Sequence, residues 1–133
     1  MPRLLPPEDG VTIRMYRIGH GDCFLLAFAG EDPQEPAYVL IDCGYKPGSP
    51  GFINTHVNEV VADIKEATGG HLHVAVLTHE HQDHLNGITE TRFNGIEIDE
   101  LWLPWTENPN DTLANQLREE FDDFLLQLVG ARQ

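Results

Sequence analysis

This 133-residue sequence predicts an α/β layered fold with a mixed sheet. Three observations carry that prediction. Short apolar runs are interrupted by segments of helical spacing, in the order strand, strand, strand, helix, strand, short helix, strand, helix. Glycine and proline cluster between those runs. Hydrophobic residues make up 41% of the chain, enough for one ordinary domain with its own core.

The elements follow in order. Val11, Ile13 and Met15 alternate with polar residues and predict a half-buried strand from Val11 to Ile18. Gly19-His20-Gly21-Asp22 reads as a tight turn, and the apolar Cys23 to Ala29 as a second strand. A polar, proline-bearing hairpin loop covers Glu31 to Pro36, and Ala37 to Asp42 is the third strand, ended by Gly44. The loop from Tyr45 to Gly51 is rich in glycine and proline but lacks the spacing of a phosphate-binding loop. Ile53, Val57, Val60, Val61 and Ile64 share one face of a helix over Ile53 to Ala67, which Gly69-Gly70 stops. Leu72 to Thr78 is the fourth strand, a short helix begins at Leu85, and Ile98 to Leu103 is the fifth strand. After a loop over Pro104 to Asn110, Asp111 or Thr112 caps a last helix. Its apolar face carries Leu113, Leu117, Phe121, Phe124, Leu125 and Leu128, and Gly130 stops it. Trp102 is assigned to the core, whereas Trp105 faces a cleft or an interface.

Charge narrows the function classes. Eight Lys and Arg stand against 22 Asp and Glu, a formal net charge of -14. Such a surface repels phosphate backbones and excludes nonspecific nucleic-acid binding through a basic face. Divalent metals reverse the sign locally, so phosphate chemistry at a metal site stays open. The segment from Met1 to Pro7 holds no apolar stretch long enough for a secretory signal or a membrane span. The expectation is a soluble, cytoplasmic chain with no membrane partner. Cys23 and Cys43 lie inside apolar runs and are expected to be buried free thiols.

The chemistry concentrates in His79-Glu80-His81-Gln82-Asp83-His84, directly behind the fourth strand. In an extended segment His79 and His81 project to the same side and can grip one ion. Asp83 and His84, where the chain turns, can face a second. Imidazole nitrogen and carboxylate oxygen without nearby Cys suit zinc first, with manganese or iron as alternatives, in an open site for one or two divalent ions. An open site of this kind supplies hydroxide at neutral pH.

Thr78-His79-Glu80-His81-Gln82-Asp83-His84 resembles the signature of the metallo-β-lactamase-fold hydrolases. Val39-Leu40-Ile41-Asp42-Cys43-Gly44 resembles that family's early motif of strand, Asp, small residue and Gly. Gly19 to Leu26 resembles the turn and strand of its DNA-uptake, competence-type nuclease branch. The resemblance implies that residues 1–133 are the N-terminal half of an αββα sandwich, a mixed sheet with flanking helices. It implies His79 and His81 on a first metal, Asp83 and His84 on a second, and Asp83 as the catalytic residue that orients the bridging hydroxide. Asp42 stands behind them and fixes the ligand loop. His20 and Asp22 stand behind them too, His20 toward substrate or metal-bound water or as a turn stabiliser, Asp22 bonding the turn's own backbone.

The implied activity is metal-dependent hydrolysis of a phosphodiester. Hydrolysis of a thioester, lactone or similar acyl substrate is the alternative within the fold, and a non-catalytic binding or assembly module is the alternative outside it. Two departures matter. Asn86-Gly87 stands where the family often has Gly-Gly, a mild change because Asn tolerates left-handed backbone. The second half of a complete family domain also brings further His and Asp ligands. Here the histidines outside the motif are His20, His56, His71 and His73, all upstream. His56, His71 and His73 are expected to be structural. The expectation is half a site, completed by the missing C-terminal half, by a second subunit or by a domain-swapped homodimer. A stand-alone remnant with a non-catalytic role is the remaining option. A half sandwich should leave an apolar sheet face uncovered.

Overall fold

The computed structural model describes residues 3–19, 21–32, 34–45, 55–78 and 87–120, and the chain forms two compact units, Met1–Trp102 and Leu103–Gln133. In the first unit, β1 (Val11–Met15), β2 (Cys23–Phe28), β3 (Ala37–Cys43), β4 (His71–Val76) and β5 (Glu97–Trp102) make one sheet whose spatial order is the chain order. β1, β2 and β3 are antiparallel, whereas β3, β4 and β5 are parallel. Parallel neighbours cannot be joined by a hairpin, and α1 (Thr55–Thr68) makes the crossover from β3 to β4. The α/β fold with a mixed sheet is therefore present.

Alternation along the strands gives the sheet two unlike faces. On the inner face the register aligns Leu25 with Leu40 and Leu40 with Ala75, and all three are buried. Val57, Val61, Ile64 and Ala67 of α1 recur at three- and four-residue spacing and join the same core cluster. Gly69 and Gly70, with φ of 68° and 82°, end the helix in left-handed backbone, and the Gly70 N–H reaches back to the Lys65 carbonyl at 2.9 Å. The buried Tyr38 hydroxyl donates to the Leu4 carbonyl at 2.8 Å, and the Leu4 N–H donates to the Ala67 carbonyl at 2.8 Å. The N-terminal segment is thereby stitched to both β3 and the end of α1.

The edge strand β1 is tied to α1 by polar bonds. Arg14 Nη1 and the Tyr16 hydroxyl both donate to Asp63 Oδ2, at 2.7 and 2.5 Å. Burial and the bond to the Asp63 carboxylate push the Tyr16 phenol well above its ordinary range.

The outer face is different. Met15 pairs with Phe24, Phe24 with Ile41, Ile41 with Val76 and Val76 with Trp102, a row of apolar side chains across all five strands. Trp102 was expected in the core. It is instead 54% exposed, because its register with Val76 puts it on this outer face, where its Nε1–H donates to Glu100 Oε2 at 2.9 Å.

The short helix expected from Leu85 is also revised. From Gly87 to Gly95 the chain runs through turns, with one helical-type bond from the Phe93 N–H to the Thr89 carbonyl at 2.9 Å. Phe93 is buried there, and the turns deliver Ile96 to the core at the start of β5.

In the second unit a 3-10 turn, Trp105–Glu107, precedes a helix described over residues 112–120. Asp111 caps that helix as predicted, its Oδ1 accepting the Ala114 N–H at 2.8 Å. Phe121, Phe124, Leu125, Leu128 and Gly130 lie outside the described residues. Among the described residues no helix is long and apolar enough to cross a membrane.

The Tyr16 bond yields a pH dependence. The folded phenol titrates above its unfolded value of about 10, so its contribution is complete below about pH 10 and is lost as pH rises beyond it. Urea unfolding should therefore show wild-type stability declining above about pH 10, and Tyr16→Phe declining less steeply. Identical alkaline slopes for the two proteins would contradict the assignment.

Candidate functional site

Because β3, β4 and β5 are parallel, their carboxyl ends share one edge of the sheet, and antiparallel β2 brings its amino end there as well. Open α/β sheets bind ligands at such an edge. Asp42, near the end of β3, is 2% exposed and has φ 55°, the one non-glycine residue with positive φ among those described. Left-handed backbone costs a non-glycine residue roughly 1–2 kcal/mol, less for Asp, whose short side chain bonds locally. Two hydrogen bonds offset that cost. The Thr78 N–H donates to Asp42 Oδ1 at 2.8 Å, and the Thr78 hydroxyl donates to Oδ2 at 2.5 Å. Both oxygens of a buried carboxylate are thereby engaged, as burial of charge demands.

The next residue holds Gly87. The Cys43 carbonyl accepts the Gly87 N–H at 2.8 Å. A Cβ on residue 87 would lie 2.5 Å from the Cys43 carbonyl oxygen and 2.6 Å from its Sγ, so only glycine fits. Thr78 and Gly87 thus bracket residues 79–86 and are pinned to consecutive residues of β3. The predicted ligands His79, His81, Asp83 and His84 lie in that bracket, outside the described residues, as does His20.

Asp22 is half-buried at the same edge, and its carbonyl accepts the Gly44 N–H at 3.2 Å. Cys23 and Cys43 are cross-strand partners and, as predicted, buried free thiols. The contact with Cys43 and burial push the Cys23 thiol above its ordinary range. A groove of about 900 Å³ adjoins Asp22, lined by Tyr16, Arg17, Phe24, His56 and Glu59 among others. That size suits a small organic ligand.

A second cluster sits at the opposite edge. His73 Nδ1 accepts the Tyr38 N–H at 3.0 Å and closes off a backbone donor of β3. His71 Nε2 bonds Asp99 Oδ2 at 2.8 Å, and the two imidazole rings are 4.4 Å apart. One donor atom from each of His71, His73 and Asp99 lies within 4.8 Å of the others, so the trio has the capacity to coordinate a single ion. An imidazole whose Nδ1 accepts a bond carries its proton on Nε2. His73 would therefore exchange the Tyr38 bond for the ion, and the trio as it stands is arranged for hydrogen bonding.

Sequence reasoning placed His71 and His73 at the far end of β4 and missed Asp99. The signal was present as His-x-His followed, one strand later, by the alternating acids Glu97 and Asp99. It becomes readable only with the register that pairs Leu72 with Ile98 and Val74 with Glu100.

The mixed sheet, its helix and the His/Asp cluster are together consistent with a metallohydrolase-type fold in general. Compared with known protein families, curated proteins and solved structures, the chain matches none.

The clamp on Thr78 has a measurable weight. Asp42→Ala should lower unfolding stability by about 1–3 kcal/mol, because it removes two hydrogen bonds to a carboxylate. Thr78→Val, which removes only the hydroxyl bond, should cost about 1–2 kcal/mol. Unchanged urea midpoints for Asp42→Ala would show that the bonds carry no weight.

Proposed function

We propose that this chain carries the metal-binding half of a hydrolase site at the carboxyl edge of its sheet, of the metallo-β-lactamase type. The observation that supports this most is the Asp42–Thr78 clamp. A buried carboxylate in left-handed backbone holds both the amide and the hydroxyl of the residue that immediately precedes His79. Metal sites depend on such outer hydrogen bonds to orient their ligands.

The donor set fits a divalent ion. His79 and His81 would hold one, and Asp83 and His84 a second, with zinc, manganese or iron suited to imidazole and carboxylate. A bound divalent ion supplies Lewis acidity and makes hydroxide available near neutral pH. The chain's own residues do the rest. Asp42 keeps the start of the ligand segment in place through Thr78, Gly87 and Cys43 keep its end in place, and an Asp83 carboxylate oxygen orients the attacking water.

The substrate class favoured is a phosphodiester, by the resemblance of Gly19 to Leu26 to the competence-type nuclease branch. The net charge of -14 repels long polyanions, which points to a small or short diester. The groove beside Asp22 supports a second reading, a thioester or lactone, because Ile18, Phe24 and Val60 give it an apolar wall. By the same resemblance, a further half-domain or a second subunit would complete the ligand set.

Metal titration and turnover of bis(p-nitrophenyl) phosphate and of a simple thioester, with and without His81→Ala, test the proposal. His81→Ala should weaken zinc or manganese binding by roughly 100-fold or more and abolish any metal-dependent turnover, with circular dichroism unchanged. Ions that remain bound in His81→Ala but are lost in His71→Ala belong to the opposite edge. Wild-type protein that takes up no ion, or whose affinity is indifferent to His81→Ala, would overturn the reading.

A further inference from the structure

The amino edge of the sheet offers a ligand set that the proposed site leaves unused. His71 and His73 alternate along β4, and Asp99 lies across from His73, between the register pairs Leu72 with Ile98 and Val74 with Glu100. Residues two apart on a strand share a face, so the three side chains rise from the same side of the sheet. Among the described residues they are the one group of three such side chains whose ligand atoms all lie within 4.8 Å of one another. We propose that His71, His73 and Asp99 bind a single zinc-type divalent ion that braces β4 against β5, independently of His79 to His84.

Three observations carry the assignment. The first is the donor set. Two imidazoles and a carboxylate without cysteine suit zinc among the divalent ions. His71 Nε2 and Asp99 Oδ2 stand 2.8 Å apart, and parting by about 0.6 Å would seat a tetrahedral ion between them. The second is rigidity. All three side chains stand on paired strands rather than in a loop, and ligands on strands keep their geometry better than ligands on loops. The third is room. A hollow of about 220 Å³ opens beside the two imidazoles, and the exposed Glu35 lines it with them. Water reaches the fourth position of the ion through this hollow, and Glu35 and Asp99 together offset its two charges. The Arg3 guanidinium, also on the rim, is drawn over the Tyr38 ring, 5.6 Å from its centroid.

The hydrogen bonds of the ion-free edge supply a signature of loading. The ion takes the place of the hydrogen between His71 and Asp99, and the His71 proton moves to Nδ1. His73 must release the Tyr38 N–H that its Nδ1 accepts at 3.0 Å, because a ring nitrogen that binds an ion leaves the other protonated and unable to accept. Tyr38 lines the hollow, so the freed N–H meets water there. An ion held only by surface carboxylates would leave that bond intact.

Zinc chloride titrated by calorimetry into the full chain carrying His81→Ala tests this with the carboxyl-edge motif disabled. The expected result is one zinc per chain, lost in His71→Ala/His81→Ala and bound at least about 100-fold more weakly in Asp99→Asn/His81→Ala. In amide NMR spectra of the His81→Ala chain, the Tyr38 signal should move on zinc addition and its hydrogen exchange should quicken. Excess zinc should raise the unfolding temperature of His81→Ala and leave that of His71→Ala/His81→Ala unchanged. The His71 and Asp99 side chains are 41% and 53% exposed, so the fold should tolerate both substitutions, with circular dichroism as the check. If His71→Ala fails to fold, the isosteric Asp99→Asn and the Tyr38 amide decide. A His81→Ala chain that takes up no zinc would overturn the proposal. Zinc affinity indifferent to both His71→Ala and Asp99→Asn, or a Tyr38 amide that ignores zinc, would overturn it equally. None of these outcomes touches the carboxyl-edge reading, which rests on the change that His81→Ala makes to the wild-type chain.

Discussion

A carboxylate removed from water must have its charge met on every side, and at the end of β3 that requirement organises the sheet edge. Asp42 reaches Thr78 from φ 55°, with both oxygens bonded to one residue of the neighbouring parallel segment. The next residue, Cys43, meets Gly87 so closely that no side chain could stand between them. Two consecutive positions of one strand thus hold Thr78 and Gly87.

The two edges of the sheet share residue types and differ in what those residues do. At the amino end, His73 spends its Nδ1 on a backbone N–H and His71 bonds an exposed Asp99. Those imidazoles already have partners. At the carboxyl end the polar contacts of the frame are those of Asp42 with Thr78 and of Cys43 with Gly87. Histidine abundance alone does not distinguish these situations; the bonding of the surrounding backbone does.

Much of the fold was legible because its signals are local. The period of Val57, Val61 and Ile64, the paired glycines after α1, the Asp111 cap and the apolar setting of the two cysteines depend on a few neighbouring residues each. What stayed hidden depends on register or on distant contact. Trp102 reads as core from its apolar neighbours, and only its alignment with Val76 shows that it stands on the outer face. Asp99 and His71 are 28 positions apart, and no local window joins them. Gly87 read as one half of a loosened Gly-Gly pair, whereas it is the position at which the backbone of β3 leaves no room. Asp42 was singled out by resemblance to a family motif; its left-handed backbone and its two hydrogen bonds to Thr78 come from the packing of β3 beside β4.

The strand order, β1 to β5 in the sequence in which they are made, bears on how the molecule is assembled. Each new strand finds its neighbour already present, beginning with two hairpins that close over short distances and continuing with the slower parallel pairings of β4 and β5. The carboxyl edge cannot be finished in the same way. Asp42 and Cys43 are laid down early, but their partners Thr78 and Gly87 arrive only after α1 has crossed and β4 has docked. Until then the Asp42 carboxylate and the Cys43 carbonyl are met by water. The order of synthesis therefore places the closing of this edge after the docking of β4.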